Sequence, residues 1–152
     1  MDIVDALQTL TRGSIWGRHF TLEDVTRIAK RLNVRTYQDG AIIFRLGDED
    51  HSLCFLVSGN VIMKKDYPDQ EPKVIVTLAE KTLFGEVSLA DNLPRSATAE
   101  AKGQVTILCL QRQDYLDLLQ EDPALGVKLQ QAMLILLSRR LRLTTLEMIR
   151  RM

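Results

Sequence analysis

The sequence predicts an α+β domain, mainly β, in which an array of short strands lies between helical ends. Three observations carry this. Apolar residues recur at helical spacing near both termini, while the middle holds short β-branched and apolar runs separated by Asp-Gly, Gly-Asp and Pro-containing turns. With 152 residues and 45% apolar content, the chain is long enough to bury one core without staples. Strands at this spacing fit a sandwich, roll or barrel.

Residues 1–38 read as an N-terminal helical segment. Ile3, Leu7 and Leu10 share one helix face. Thr21 is suited to cap a second helix, with Asp24 at the reciprocal capping-box position, and Leu22, Val25, Ile28, Ala29 and Leu32 then follow helical spacing.

Residues 39–111 read as the β array. Asp39-Gly40 turns into Ala41-Ile42-Ile43-Phe44, and Gly47-Asp48 turns again. Leu53 to Val57 is a dense apolar run, and Ser58-Gly59-Asn60 reads as a tight reversal into Val61-Ile62-Met63. Asp66 to Pro72 is a polar loop, Val74 to Leu78 a β-branched strand, and Val105 to Leu110 the last strand. Residues 112–152 return to helix, with a short helix over Asp114–Gln120. Asp122-Pro123 then starts a long one, Asp capping and Pro at the first helical position.

Composition excludes several functions. Twenty Lys and Arg balance twenty Asp and Glu, so the basic surplus of a sequence-independent nucleic-acid binder is missing. Two cysteines and two histidines do not make an all-Cys/His zinc site. Aromatic content of 5% argues against base-stacking platforms. No apolar run is long enough to span a bilayer and no leader pattern opens the chain, so a cytoplasmic protein is expected. Cys54 and Cys109 sit in alternating apolar runs and are expected as reduced core residues. A metal-dependent enzyme would have only His19 and His51 available, and a haem site only His51 or Cys54, so no catalytic, metal or cofactor site is expected.

One segment interrupts the strands: residues 83–101, LFGEVSLADNLPRSATAEA. Gly85 precedes a single helical turn, Glu86-Val87-Ser88-Leu89. A glycine before a helix start permits close backbone approach and leaves amide groups free for an anion. Arg95 adds a planar permanent cation, Ser96 a hydroxyl and Ala97 an amide, while Glu86 is an acceptor suited to a sugar hydroxyl. These are the parts for one phosphate and one ribose. The nucleoside-triphosphate loop GxxxxGK[ST] is missing. Taken alone, Glu86 and Arg95 read as an ordinary loop salt bridge.

Phe84-Gly85-Glu86-Val87-Ser88-Leu89 and Pro94-Arg95-Ser96-Ala97-Thr98 resemble, in order and spacing, the phosphate-binding cassette of cyclic nucleotide-binding domains, and the glycines at 40, 47 and 59 resemble that family's turns. The resemblance covers about residues 20–150. It implies a double-stranded, jelly-roll-like β-roll with N-terminal helices, a short phosphate-binding helix and a long C-terminal helix. It implies that Glu86 accepts from the ribose 2′-hydroxyl and that Arg95 meets the cyclic phosphate. Phe84, Gly85, Val87, Ser88, Ser96 and Ala97 complete that part of the site. Thr82, where many members carry glycine, and Ala99-Glu100, where Val-Arg is usual, depart from the pattern.

Within the family the likeness is to the bacterial catabolite activator group, carried by Arg139-Arg140-Leu141-Arg142-Leu143-Thr144-Thr145. That likeness adds Arg140 to the site, implies that Thr144 meets adenine from its own subunit and Thr145 from the partner, and favours cyclic AMP over cyclic GMP. Leu134, Leu137, Leu141, Thr144 and Met148 step by threes and fours, the seam of a two-heptad coiled coil, so a homodimer is expected. The activator group's helix-turn-helix has no counterpart before Met152. The sequence is therefore expected to be a stand-alone, non-enzymatic sensor that binds no DNA itself and signals to a separate effector. The competing expectation is a degenerate roll that only dimerises. Arg95→Ala is expected to remove nucleotide binding and leave the fold intact.

Overall fold

A computed structural model describes all of residues 1–152. Two helices, α1 (Ile3–Arg12) and α2 (Leu22–Ala29), precede the strands β1 (Leu32–Tyr37), β2 (Ile42–Phe44), β3 (Leu53–Lys65), β4 (Lys73–Leu78) and β5 (Thr82–Phe84). The short helix α3 (Glu86–Asp91), strand β6 (Thr98–Leu110), and helices α4 (Arg112–Glu121) and α5 (Pro123–Arg151) complete the chain. The caps form as the sequence indicates. Thr21 accepts from the Asp24 amide while Asp24 accepts from the Thr21 amide, and Asp122 accepts from the Leu125 amide with Pro123 in the first turn.

All strand pairs are antiparallel, in the order β1-β6-β3-β4, with β2 also on β6 and β5 also on β3. The 13-residue strands β3 and β6 run side by side and each changes its outer neighbour midway. Residues Cys54–Leu56 of β3 hold β5, whereas Val61–Lys65 hold β4. The same switch on β6 takes it from β2 to β1. That is how one sheet curls into a roll.

Three sequence expectations are corrected. The helical segment read over residues 1–38 stops at Ala29, and Leu32–Tyr37 is strand. Leu32 lies four residues after Ile28, so it satisfies helical spacing, yet it pairs with Leu110. Ser58-Gly59-Asn60 is not a reversal: β3 continues through it with register shifts on both sides of Ser58. Gly59 has φ +86°, and a Cβ there would lie 2.3 Å from the Gln104 carbonyl oxygen, so the bulge requires glycine. Finally, β6 begins at Thr98, not Val105.

Period-two alternation divides the core. Leu53, Phe55, Leu108 and Leu110 face the helices and pack with Leu7, Leu10, Val25, Ile28, Leu118, Leu125 and Leu129. Cys54, Leu56, Ile107 and Cys109 face the roll interior with Phe44, Val61, Leu78, Phe84, Ala99 and Ala101. Each fully buried large side chain contributes about 1.5–3 kcal/mol. Both cysteines are buried and unbridged. Helix α5 docks on this layer through Met133, and from Leu141 to Met152 its apolar side chains are exposed. No helix is long and apolar enough to cross a membrane.

Candidate functional site

The segment 83–101 folds around its glycine. Gly85 takes φ +83° and leads directly into α3. A Cβ at this position would stand 2.6 Å from Arg95 Nη1 and 2.7 Å from the Ser52 carbonyl oxygen, so the residue is held by crowding as well as by its backbone angle. On the far side of α3, Asn92 also adopts a left-handed conformation and ends the helix. The chain then returns beside the β2–β3 connection: the Arg95 amide donates to the Asp48 carbonyl at 2.9 Å, and the Gly47 amide donates to the Arg95 carbonyl at 2.8 Å. Thr98 Oγ1 accepts from the Leu46 amide.

These contacts place Arg95 inside the protein, only 2% exposed. Its Nη1 donates to the Gly85 carbonyl at 3.0 Å, and its Nη2 donates to the Ser52 carbonyl at 2.8 Å and to Ser52 Oγ at 3.2 Å. Asp50 lies 3.3 Å away as counter-ion, and the guanidinium carbon sits 4.0 Å from the Phe44 ring centroid. Burial alone would raise the Asp50 carboxyl, but the Ser52 amide, the Arg95 charge and the Ser52 hydroxyl together hold it below the usual carboxylate range. Arg95 Nε is buried with no hydrogen-bond partner, an orphan donor of the kind that native proteins rarely leave unused.

Glu86, also buried, is ion-paired to Arg140, reaching in from α5. Arg140 Nη2 further donates to the Leu83 carbonyl and to Thr82 Oγ1. The simple Glu86–Arg95 salt bridge is therefore not what forms: each charge has a different partner.

A cavity of about 360 Å³ gathers these groups. Its lining includes Phe84, Gly85, Glu86, Val87, Ser88, Arg95, Ser96, Ala97 and Arg140, nine of the eleven residues singled out from sequence. Its size lies within the range of about 300–1,000 Å³ usual for small-molecule sites. The other two, Thr144 and Thr145, do not line it. Both are exposed on α5, their hydroxyls donating to the carbonyls of Arg140 and Leu141 at 2.9 Å.

Sequence reasoning missed the opposite wall, Phe44, Met63, Lys65, Ile75, Val76 and Leu78, and the Asp50–Ser52 clamp on Arg95. Alternation at the end of β3, which puts Met63 and Lys65 on one side, was the available signal for part of the wall. A wider depression of about 780 Å³ beside α2, β1 and α4 is lined mostly by charged residues, four of them engaged in the ion pairs Arg27–Asp122 and Arg31–Glu121.

A β-roll with a glycine-led helical turn, a buried arginine and a buried glutamate around one cavity defines a cyclic nucleotide-binding module. The cyclic nucleotide-binding domain family matches residues 34–122, more than half of the sequence, and the chain belongs to that family. It is 34% identical over 126 residues to the cyclic AMP receptor protein of Thermus thermophilus, covering 83% of this chain and 56% of that protein. It is 30% identical over 97 residues to the cAMP-dependent protein kinase regulatory subunit of Debaryomyces hansenii, covering 64% of this chain and 21% of that one. Among solved structures, the Thermus thermophilus catabolite activator protein superposes with a TM-score of 0.75 at 32% identity, over 89% of this chain and 62% of that chain. A cyclic nucleotide-binding domain from Methylobacillus flagellatus shares the fold, with a TM-score of 0.88 at 23% identity over 98% of this chain and 84% of that chain. The chain thus spans little more than half the length of the receptor protein and much less of the kinase subunit.

Proposed function

We propose that this chain is a non-enzymatic regulatory module that binds cyclic AMP, dimerises through α5 and passes its ligand state to a separate effector. The observation that carries the reading is the shared cavity of Glu86, Arg95 and Ser96, with an orphan Nε on the buried arginine. In this reading the cyclic phosphate takes the Arg95 Nε–H, the Ser96 hydroxyl and the Ala97 amide, and Gly85 lets the ligand lie against the backbone. Glu86 engages Arg140 through Oε1, and its second oxygen accepts from the ribose 2′-hydroxyl. The base extends towards α5, where the Thr144 hydroxyl accepts from the adenine amino group and Thr145 serves the partner subunit's ligand.

Arg140 joins the cassette to the exposed half of α5, so ligand at Glu86 biases where that helix sits. Leu134, Leu141 and Met148, seven residues apart and 64%, 67% and 64% exposed, supply the apolar seam for a second copy. The alternative of a dimerising scaffold without nucleotide draws on one observation, that Arg95 and Glu86 each already hold a protein partner. Calorimetric titration with cyclic AMP and cyclic GMP, with mass in solution measured before and after, separates these. Saturable binding that favours cyclic AMP, by a dimer, supports the proposal. Preference for cyclic GMP reassigns the base. No heat with either at high micromolar concentration leaves the scaffold.

A further inference from the structure

We propose that Lys65 is an additional ligand-contacting residue, meeting the negative charge of the cyclic phosphodiester and giving the site its net positive charge. The inference rests on the cyclic-nucleotide reading above and extends it to a position outside the cassette.

Alternation along the end of β3 separates two adjacent lysines. Lys64 turns to Glu100, 3.2 Å away, while Met63 and Lys65 line the cavity. Lys64–Thr98 is the last pair of the β3–β6 register, so Lys65 ends β3 where the chain leaves the cassette for β6, and Lys65, Ser96 and Ala97 line the same cavity. The charges of the site then decide its role. Arg95 is balanced by Asp50, and Arg140 by Glu86, so four of the charges at the cavity cancel in pairs. Lys65 is the one lining cation with no carboxylate partner. A cyclic phosphodiester carries one negative charge, and an otherwise balanced site offers it hydrogen bonds but no net attraction. Lys65 supplies that attraction through a flexible stem that swings over a bound ligand. Because the side chain is exposed, the contribution is modest and screened by salt.

The test is titration of the wild-type chain, Lys65→Met and Lys65→Arg with cyclic AMP and cyclic GMP at low and high ionic strength. Lys65→Met keeps an apolar stem of similar reach and removes only the charge. The expected result is a three- to tenfold weaker affinity for both nucleotides at low salt, a shallower salt dependence, restoration by Lys65→Arg, and unchanged unfolding. Equal affinity and equal salt dependence in Lys65→Met overturn the inference while leaving the cyclic-nucleotide reading in place. A loss confined to one nucleotide also overturns it, since that pattern means contact with the base. Wild-type protein that binds neither nucleotide removes the parent reading, and this inference with it.

Discussion

The ion pair between Glu86 and Arg140 is the one charged link between the cassette and α5, and its loss has a calculable cost. The Glu86 side chain is 7% exposed and that of Arg140 31%. Arg140→Met leaves a buried carboxylate without a cation and takes donors from the Leu83 carbonyl and Thr82 Oγ1. Breaking a fully buried pair costs about 3–5 kcal/mol. Because Arg140 is one-third exposed, water recovers part of this, and about 2–3 kcal/mol is expected. For a domain of this length that lowers Tm by roughly 4–12 °C. Glu86→Gln removes the charge that needs compensation, so Glu86→Gln/Arg140→Met is expected to be no less stable than Arg140→Met. The assay is urea unfolding of wild type, both single variants and the double variant at pH 7, giving a coupling energy of about 1–2 kcal/mol. Coupling below about 0.5 kcal/mol, or Arg140→Met as stable as wild type, would refute the assignment of α5 as clamped to the cassette.

Other consequences follow from the same geometry. Gly85→Ala combines a left-handed φ with a Cβ driven into Arg95, whereas Gly40→Ala meets only the backbone penalty, since φ there is +82° with open space around it. Urea unfolding should show Gly40→Ala costing about 1–2 kcal/mol and Gly85→Ala clearly more; equal costs contradict the crowding. Asp50 titrates below its unfolded value of about 3.9, so the folded state binds fewer protons near that pH. Its stabilisation is therefore present above about pH 4 and lost as pH falls through the folded value. Asp50→Asn should flatten the acid limb of the stability–pH curve, and an unchanged slope contradicts the Asp50–Arg95 pairing. A hydrogen bond to Cys109 and complete burial push the Cys54 thiol well above its ordinary value. Thiol labelling of native protein should thus follow global unfolding, and rapid labelling at native conditions contradicts the placement of these cysteines in the roll.

The cassette was legible because its chemistry is local. A glycine before a helical turn, a carboxylate beside it and an arginine nine residues later are all visible in one short segment, and the structure brings Glu86 and Arg95 to one cavity. The caps at Thr21 and Asp122 are local in the same way. Errors arose where two structures share one pattern. Leu32 fits both the helix before it and the strand it joins. Ser58-Gly59-Asn60 has the composition of a turn, yet a bulge needs the same positive φ at glycine. The small residues Ala97, Ala99 and Ala101 hid the start of β6, although Ala99 and Ala101 are small because they face the packed interior.

Pairwise contacts distant in sequence were not legible, although the family resemblance places Arg140 and Glu86 in one site. Ser52 reaches Arg95 across 43 residues, and Arg140 reaches Glu86 across 54. The first of these changes an expectation. Arg95 is a structural strut, and Arg95→Ala would strip the Gly85 and Ser52 carbonyls and Asp50 of their partner, costing stability as well as any ligand contact.

The central claim is that Arg95 and Glu86 grip a cyclic nucleotide, and the Arg95 Nε–H resonance reports on it most directly. In ¹⁵N-labelled wild-type protein titrated with cyclic AMP, that resonance and the Ser96 and Ala97 amides should shift together, saturating at one nucleotide per chain. Saturating cyclic AMP that leaves the Arg95 Nε–H resonance unmoved would contradict the account.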